Sequence, residues 1–537
     1  MLKRGIIVLA LVAIVALPFL LRPHQPSPVE ADDTLILISP HNEAIRHEFT
    51  LGFRNWYKAR TGRTVYMDWR NVGGTSEIAR YLEGEYVASF RNLWTGSMGR
   101  AWSEAIRAGF QNGRLAADAP AEVKEARATF TASGAGCGID LFFGGGVYDF
   151  SKQQEAGRLV DSGVARLHPD WFTDAAFPQS FGGSTYRDKA GVWFGSVLSS
   201  YGIIYNRDAL ARLGIDRPPE QWTDLADPRF VGQIGLCDPT KSGSIAEAFE
   251  NVIQQQMHRR VDALGAGASK EEVAEAVRQG WIDGLRLVQR VGANARYFTD
   301  TSQKPPIDVA SGDCAAGMCI DFYGREQQEA VRRRNPGSDR LGYVSPDGGA
   351  SYSVDPIAML RGAPHPAVAI AFIEYVLSLD GQKLWNFRTG TPAGPEEFAL
   401  RRLPVRRDFY ARDDWAKYRS DPEENPYSRK SVLVYRPEWT GQLYQALAFT
   451  IRVMTEDTHP ELTSAWRAII AAPEPAKARA LAVLQDMSAV DYEHAKGRVN
   501  GALHSKNLVD AVDLARDLGG EFRKNYVRAE RIARGLE

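Results

Sequence analysis

Thr34-Leu35-Ile36-Leu37-Ile38-Ser39-Pro40-His41-Asn42-Glu43 is the stretch on which the fold turns. The unbroken apolar run reads as a buried strand, and the polar residues after it open a helix. Phe49, Phe53 and Trp56 then fall on one helical stripe, which Thr61-Gly62-Arg63 stops. A second strand is read at Thr64-Val65-Tyr66-Met67-Asp68-Trp69, and Gly73-Gly74-Thr75-Ser76-Glu77 leads into a helix through Ile78, Tyr81 and Leu82. Ile139-Asp140-Leu141-Phe142-Phe143 is a third strand, ending in Gly144-Gly145-Gly146. Strand, loop and helix repeated in this order predict βαβ units and a mainly parallel sheet.

Working outward, a helical excursion from Val87 to Phe130 interrupts that rhythm. The apolar, glycine-punctuated stretch from Val192 to Tyr205 is expected to cross to a second α/β region, Gly232 to Tyr323. There Gln233-Ile234-Gly235-Leu236-Cys237 runs into Asp238-Pro239-Thr240-Lys241-Ser242-Gly243-Ser244 and a helix. After Leu400 the chain is charged and helical, with an amphipathic pattern near Ala465 to Leu484. The expected organisation is a leader (1–31), a first lobe (32–195, with an insertion at 87–130) and a second lobe (196–325). A return to the first lobe (326–400) and a C-terminal helical extension (401–537) complete it.

A chain of 537 residues is too long for one ordinary core, so two or more lobes are expected. A formal net charge of −1 argues against a nucleic-acid binder. The short basic runs Arg332-Arg333-Arg334, Arg401-Arg402 and Arg406-Arg407 are read as solvated surface. Lys3 and Arg4 before the apolar run Gly5–Leu21 form the pattern of a secretory leader. Val29-Glu30-Ala31 offers a cleavage site, and an uncleaved inner-membrane anchor is the alternative; either way the chain is expected in the periplasm. Cys137, Cys237, Cys314 and Cys319 lack metal-ligand spacing and are read as incidental thiols.

Open α/β sheets bind ligands beyond the carboxyl ends of their strands, and four loops stand there. They supply Ser39, His41 and Asn42; Gly74, Thr75 and Ser76; Gly145; and Thr240, Ser242, Gly243 and Ser244. Helix N-termini favour anions, glycine admits close approach, and hydroxyls donate without adding charge. Each of these hydroxyls has a plainer reading as a helix N-cap. Asp321 is expected to accept from ligand hydroxyls, Tyr323 to stack or donate, and Tyr352 to help close the cleft. Asp355 is read as a helix N-cap before Pro356 rather than as a contact. The glycines have neither dinucleotide-fold nor P-loop spacing, and no cofactor is expected.

Read in order, these segments resemble the ferric-iron and phosphate-ester branch of the type II periplasmic binding proteins. The resemblance spans about Thr34 to Arg388. It rests on His41, Gly73-Gly74-Thr75-Ser76, Ile139–Phe143, and Gly202-Ile203-Ile204-Tyr205-Asn206 as the first crossover strand. Trp222-Thr223-Asp224-Leu225, Phe230-Val231-Gly232-Gln233-Ile234 and the stretch from Pro364 to Trp385 also match. Gly317 to Tyr323 resembles the second crossover, so hinges are expected near Val192–Tyr205 and Ile320–Gly342. The resemblance implies a two-lobed type II periplasmic binding fold with helical additions, binding a small ligand between the lobes. It implies an ABC permease and ATPase as partners, with no nucleic acid, and membrane contact only through an uncleaved leader.

The ligand expected is a phosphate ester, phosphonate or sugar-like compound. Fe(III) is the alternative, with His41 and Tyr323 as ligands; against it, Phe322 stands where the iron-binding members carry a first tyrosine. A membrane-anchored sensing ectodomain is a third reading. Neither G-x-S-x-G nor H-E-x-x-H occurs, and no enzymatic activity is expected.

Overall fold

The computed structural model describes residues 30–537 apart from 266, 430 and 506; the leader lies outside the described residues. The first lobe opens with β1 (Asp33–Ile38), α1 (Glu43–Thr61), β2 (Val65–Arg70) and α2 (Thr75–Arg91). β3 (Leu141–Phe143) and α3 (Val147–Glu155) follow the helical insertion. β1 pairs in parallel with both β2 and β3, and its Leu35, Leu37 and Ile38 are fully buried. α1 starts where the Asn42 side chain accepts the Ile45 N–H, and stops at Gly62 in the left-handed region. The insertion is not a separate body: Phe90, Trp94, Phe110 and Phe130 join the first lobe's core.

β4 (Trp193–Ser199) completes a run of this sheet, and Ser200 alone separates it from β5 (Tyr201–Asn206) in the second sheet. The second lobe then adds β6 (Ile234–Cys237), α4 (Gly243–Asp262), α5 (Lys270–Ala293) and β7 (Ala295–Thr299). β8 (Ala316–Ile320), α6 (Asp321–Arg334) and β9 (Leu341–Val344) follow. The chain returns with β10 (Ser353–Leu360) and adds β11 (Leu403–Pro404) to the first sheet. Strand orders are β11-β4-β10-β3-β1-β2, with Leu159–Val160 also on β10, and β7-β6-β8-β5-β9. In each lobe a parallel trio ends on an antiparallel strand next to the crossing, β10 on β3 and β5 on β8. Two α/β lobes joined by crossovers are the type II periplasmic binding architecture.

Two boundaries differ from expectation. Gly317 to Tyr323 is not a crossover: β8 pairs with β5 and β6, both in the second lobe, and leads directly into α6. An apolar strand buried on both faces reads alike in a lobe centre and at a crossing. The return to the first lobe spans residues 345–352, so 326–344 stays in the second lobe. Asp355 lies inside β10 and caps no helix. Past β11, the helices α7 (Tyr444–Ile451), α8 (His459–Ala471), α9 (Glu474–Leu484) and α10 (Leu508–Ala533) pack on the second lobe. Trp281, Leu285 and Val288 of α5 share one core with Trp466, Leu484 and Tyr526. The polar edges of these rings are satisfied across the seam: Trp281 Nε1 donates to Val490 O at 2.9 Å and Trp466 Nε1 to Asn294 Oδ1 at 2.8 Å.

The segment between the lobes' last strands is anchored by Glu48 of α1. Its buried carboxylate accepts the N–H groups of Glu396, Glu397 and Phe398 at 2.7, 2.8 and 2.7 Å. Replacing Glu48 by alanine removes the acceptor from three backbone donors and is expected to cost about 3 kcal/mol in urea unfolding. An unchanged midpoint would show that water replaces it without loss.

Candidate functional site

The carboxyl ends of β1, β2 and β3 in one lobe face those of β6 and β7 in the other across a cleft of about 470 Å³. Helix starts converge there. α1 begins after Asn42, α2 begins at Thr75 after Gly74, and α4 begins at Gly243 after Ser242. The first-turn N–H groups of a helix have no partner within it, and the dipole adds positive potential. Ser242 Oγ caps α4 by accepting from Ile245 N at 3.4 Å, so that hydroxyl serves the helix while lining the cleft. Thr75, by contrast, is the first helical residue, and its helix has no side-chain cap.

The triple glycine has a steric cause. A Cβ built on Gly144, at φ +92°, would collide with the His41 ring, 2.6 Å from its Cε1 and Nε2. Gly145, at φ +119°, stands equally tight against Thr75. The backbone of the β3 loop thus passes directly beneath the cleft floor.

The deep wall is an ion pair. Arg402, immediately before β11, places Nη1 2.6 Å from Asp355 Oδ2, and its Nη2 donates to Ser199 Oγ. His41 Nε2 lies 3.3 Å from the same carboxylate oxygen. The guanidinium is stacked 4.3 Å from the centroid of Phe322, which belongs to the second lobe. Burial would raise the Asp355 carboxyl, but the Arg402 charge and the His41 hydrogen bond outweigh it and hold it well below the carboxylate range. Burial lowers His41 and outweighs the pull of Asp355, so its ring is neutral near pH 7. Burial likewise raises Tyr323, which stays a phenol. Arg402 is 1% exposed, and its Nε, like His41 Nδ1, is buried with no hydrogen-bond partner among the described residues. Such groups cost free energy unless Arg402 Nε finds an acceptor and His41 Nδ1, the lone-pair nitrogen of a neutral ring whose Nε2–H faces Asp355, finds a donor.

Of the residues expected at the site, His41, Asn42, Gly74, Thr75, Gly145, Ser242, Gly243, Ser244 and Tyr323 line this cleft together. Five do not. Ser39 is fully buried and accepts from His41 N at 3.1 Å, shaping the loop from beneath. Ser76 and Thr240 line a neighbouring cavity, and Thr240 Oγ1 is held by Asp238 at 2.7 Å. Asp321 is locked by Arg325 at 3.1 Å and accepts from Ser200 N at 3.3 Å. Tyr352 lies in the first lobe's core. A strand-end position brings a residue near the cleft, but the helix turn decides whether its side chain faces it.

Asp355 and Arg402 are the additions that sequence reasoning missed. The pair Arg401-Arg402, read as solvated, is buried, as is Arg406, whereas Arg332 to Arg334 are exposed as expected. The available signal was apolar flanking: Leu400, Leu403 and Val405 bracket the two arginines, and a charge packed among buried apolar side chains needs a partner. Asp140 and Asp321 do not converge on the cleft. Asp140 clips His365 from within the first lobe, accepting its backbone N–H at 2.6 Å.

Residues 138–415 match the family described as bacterial extracellular solute-binding protein. An uncharacterized protein of Haemophilus influenzae is 25% identical over 183 residues, 34% of this chain and 44% of the relative. The phosphoglycerate transport regulatory protein PgtC of Salmonella typhimurium is 24% identical over 188 residues, 35% of this chain and 39% of the relative. Each match thus spans less than half of the curated relative's length. Among solved structures, the periplasmic binding protein P5PA superposes with a TM-score of 0.47 at 15% identity, over 78% of this chain and 95% of that one.

Proposed function

The chain belongs to the bacterial extracellular solute-binding proteins, and from that premise we propose that it captures a phosphate ester in the interlobe cleft and delivers it to the permease of an ABC importer. One observation carries the ligand class: a buried, partly unpartnered guanidinium, Arg402, stands at the end of a cleft into which helix N-termini from both lobes point. Glycine and hydroxyl residues line much of the rest, with Lys241 a second cation, Glu77 and Asp300 at the rim and Asp355 paired to the guanidinium. Phosphoryl oxygens accept from such N–H groups, and an organic moiety fits against Phe322 and Tyr323. Fe(III) is disfavoured by the same wall, because a guanidinium repels a cation and Tyr323 keeps its proton. One relative is named for phosphoglycerate transport, which agrees with a small phosphorylated acid.

That relative is also named a regulatory protein, which favours a second reading in which the closed form is recognised by a membrane sensor. Both readings place the protein in the periplasm and give it no reaction of its own. Uptake of the ligand by vesicles carrying the candidate permease separates them.

Isothermal titration with 3-phosphoglycerate, glycerol 3-phosphate, glucose 6-phosphate, inorganic phosphate and ferric citrate tests the ligand class. At least one phosphate ester is expected to bind, and at a hundredfold excess over Kd to raise stability by about 2.7 kcal/mol. Binding of ferric iron alone would overturn the proposal. Exchanging Ser242 and Ser244 together for alanine is expected to weaken that ester roughly tenfold. Its fold, followed by circular dichroism, is expected to persist; equal affinity would remove the α4 loop from the site.

A further inference from the structure

Tyr444 heads α7 on the C-terminal extension, yet its ring lies against the first lobe. It stacks on Tyr148 of α3, with centroids 4.8 Å apart and planes at 23°. Its hydroxyl donates to the carbonyl of Gly243, the first residue of α4, at 2.6 Å. One side chain thus touches both lobes beside the ligand loop. A second cavity, of about 490 Å³, shares Lys241 and Gly243 with the cleft. Its walls come from α2, α3, the Pro239–Gly243 loop and the extension.

Asp149 of α3 lies at this seam. A Cβ built on Gly243 would stand 3.6 Å from its Oδ2 and 3.3 Å from the Tyr444 hydroxyl, so the three groups close on one another. Among the described residues nothing donates a hydrogen bond to Asp149 or pairs with it. The charged and titratable groups that share its surroundings are, apart from Lys241, committed elsewhere or held as phenols. Glu247 and Glu250, which act on Tyr444, accept from Tyr201 at 2.8 Å and from Tyr435 and Thr440 at 3.0 and 2.5 Å, respectively. Arg80 pairs with Glu77 at 2.7 Å, and Arg452 lies 3.4 Å from Asp457. Lys152 pairs with Glu155 at 3.5 Å and sits over the Tyr148 ring, and burial raises both tyrosines. Lys241 lines both cavities.

We propose that Tyr444 is a positioning residue for the ligand loop, through which the C-terminal extension takes part in lobe closure by locking the Tyr148–Tyr444–Gly243 contact over Asp149. The proposal rests on the reading of the cleft as a site that closes on its ligand. It gives the extension a role in binding, and it makes closure a proton-linked event. Burial raises the enclosed Asp149 carboxyl to about 7, whereas in an opened cleft water returns it toward the ordinary value of about 4. The closed form then binds more protons between those two values, and the proton comes from solvent. Closure is therefore favoured as pH falls through that window and reaches a constant penalty above it. Between pH 8.5 and 5.5 the closed-to-open ratio should rise roughly thirtyfold.

The test is the distance between spin labels at Glu83 in the first lobe and Glu271 in the second, both exposed, in the full chain. It is measured at pH 5.5 and 8.5, with and without 3-phosphoglycerate, in the unmodified site and in Asp149→Asn and Tyr444→Phe. The closed population is expected to grow on acidification in the unmodified site and to lose most of that growth in Asp149→Asn, the remainder belonging to Glu247 and Glu250, which burial also raises to about 7. Tyr444→Phe, which keeps the ring and loses only the hydroxyl, should favour the open form several-fold at both pH values with the slope retained. A merely structural role would lower thermal stability and leave both populations and slope as they were, and that result overturns the proposal. If these shifts occur while 3-phosphoglycerate changes no distance, the latch stands and the phosphate-ester reading of this probe falls.

Discussion

Replacing Arg402 by methionine is expected to lower the stability of the protein by about 3–5 kcal/mol and to abolish the stabilisation given by its ligand. The reason lies in what remains. Asp355 would stay enclosed beside a neutral His41, without the cation that lies 2.6 Å away in the intact protein. Removing one member of a buried pair leaves the other charge uncompensated, whereas removing both is far milder. The double variant Arg402→Met with Asp355→Asn should therefore recover most of the stability and none of the binding. Acidity separates the effects further. In the intact protein the Asp355 carboxyl is held low, so its stabilising contribution is full above the ordinary carboxylate range and fades only as pH falls below it. In Arg402→Met burial acts unopposed and raises that carboxyl. The variant should gain stability on moving from pH 7 to 5, where the intact protein gains none from this group. Urea midpoints at the two pH values decide it; a double variant that binds normally would remove Arg402 from the site.

Ending the chain after Gly441 is expected to have the larger effect on folding: an insoluble product or a molten one. The extension supplies Trp466, Leu484 and Tyr526 to the same core as Trp281, Leu285 and Val288. Without it the face of α5 is bare, and several large apolar side chains at about 1.5–3 kcal/mol each exceed a whole protein's margin of about 5–15 kcal/mol. The measurement is soluble yield and near-ultraviolet dichroism. A soluble truncated protein with intact near-ultraviolet signal would show that the second lobe is complete without its extension.

The parallel part of the fold was legible because periodicity and punctuation agree: Leu35 to Ile38 reads as a buried strand, and Asn42 caps the helix after it. The crossing back was not, because the buried strand Ala316–Ile320 has the composition of a crossover and only its pairing partners exclude one. Eight residues of the cleft were legible as strand-end loops rich in glycine and hydroxyl, and Tyr323 as an aromatic after a buried strand. Ser76 and Thr240 were not separable from their neighbours, since one residue's rotation around a helix start turns a side chain from one cavity into the next. Arg402 was hidden for another reason. Its partner Asp355 lies 47 positions earlier, and nothing local in Arg401-Arg402 tells a buried arginine from a solvated one.

The strand order has a consequence for how the protein is made. β10 lies between β3 and β4, so the first lobe's sheet has a gap at its centre until residue 360 has been delivered. The second lobe, whose strands all lie between residues 201 and 344, must wait longer still for α8 to α10 to cover α5. The first lobe can complete its sheet once residue 404 has been delivered, but the second cannot seal its core while the tail is still being synthesised, which sets it apart from domains that fold as they emerge. A polypeptide built in that order leaves the apolar face of α5 uncovered until its last helix arrives.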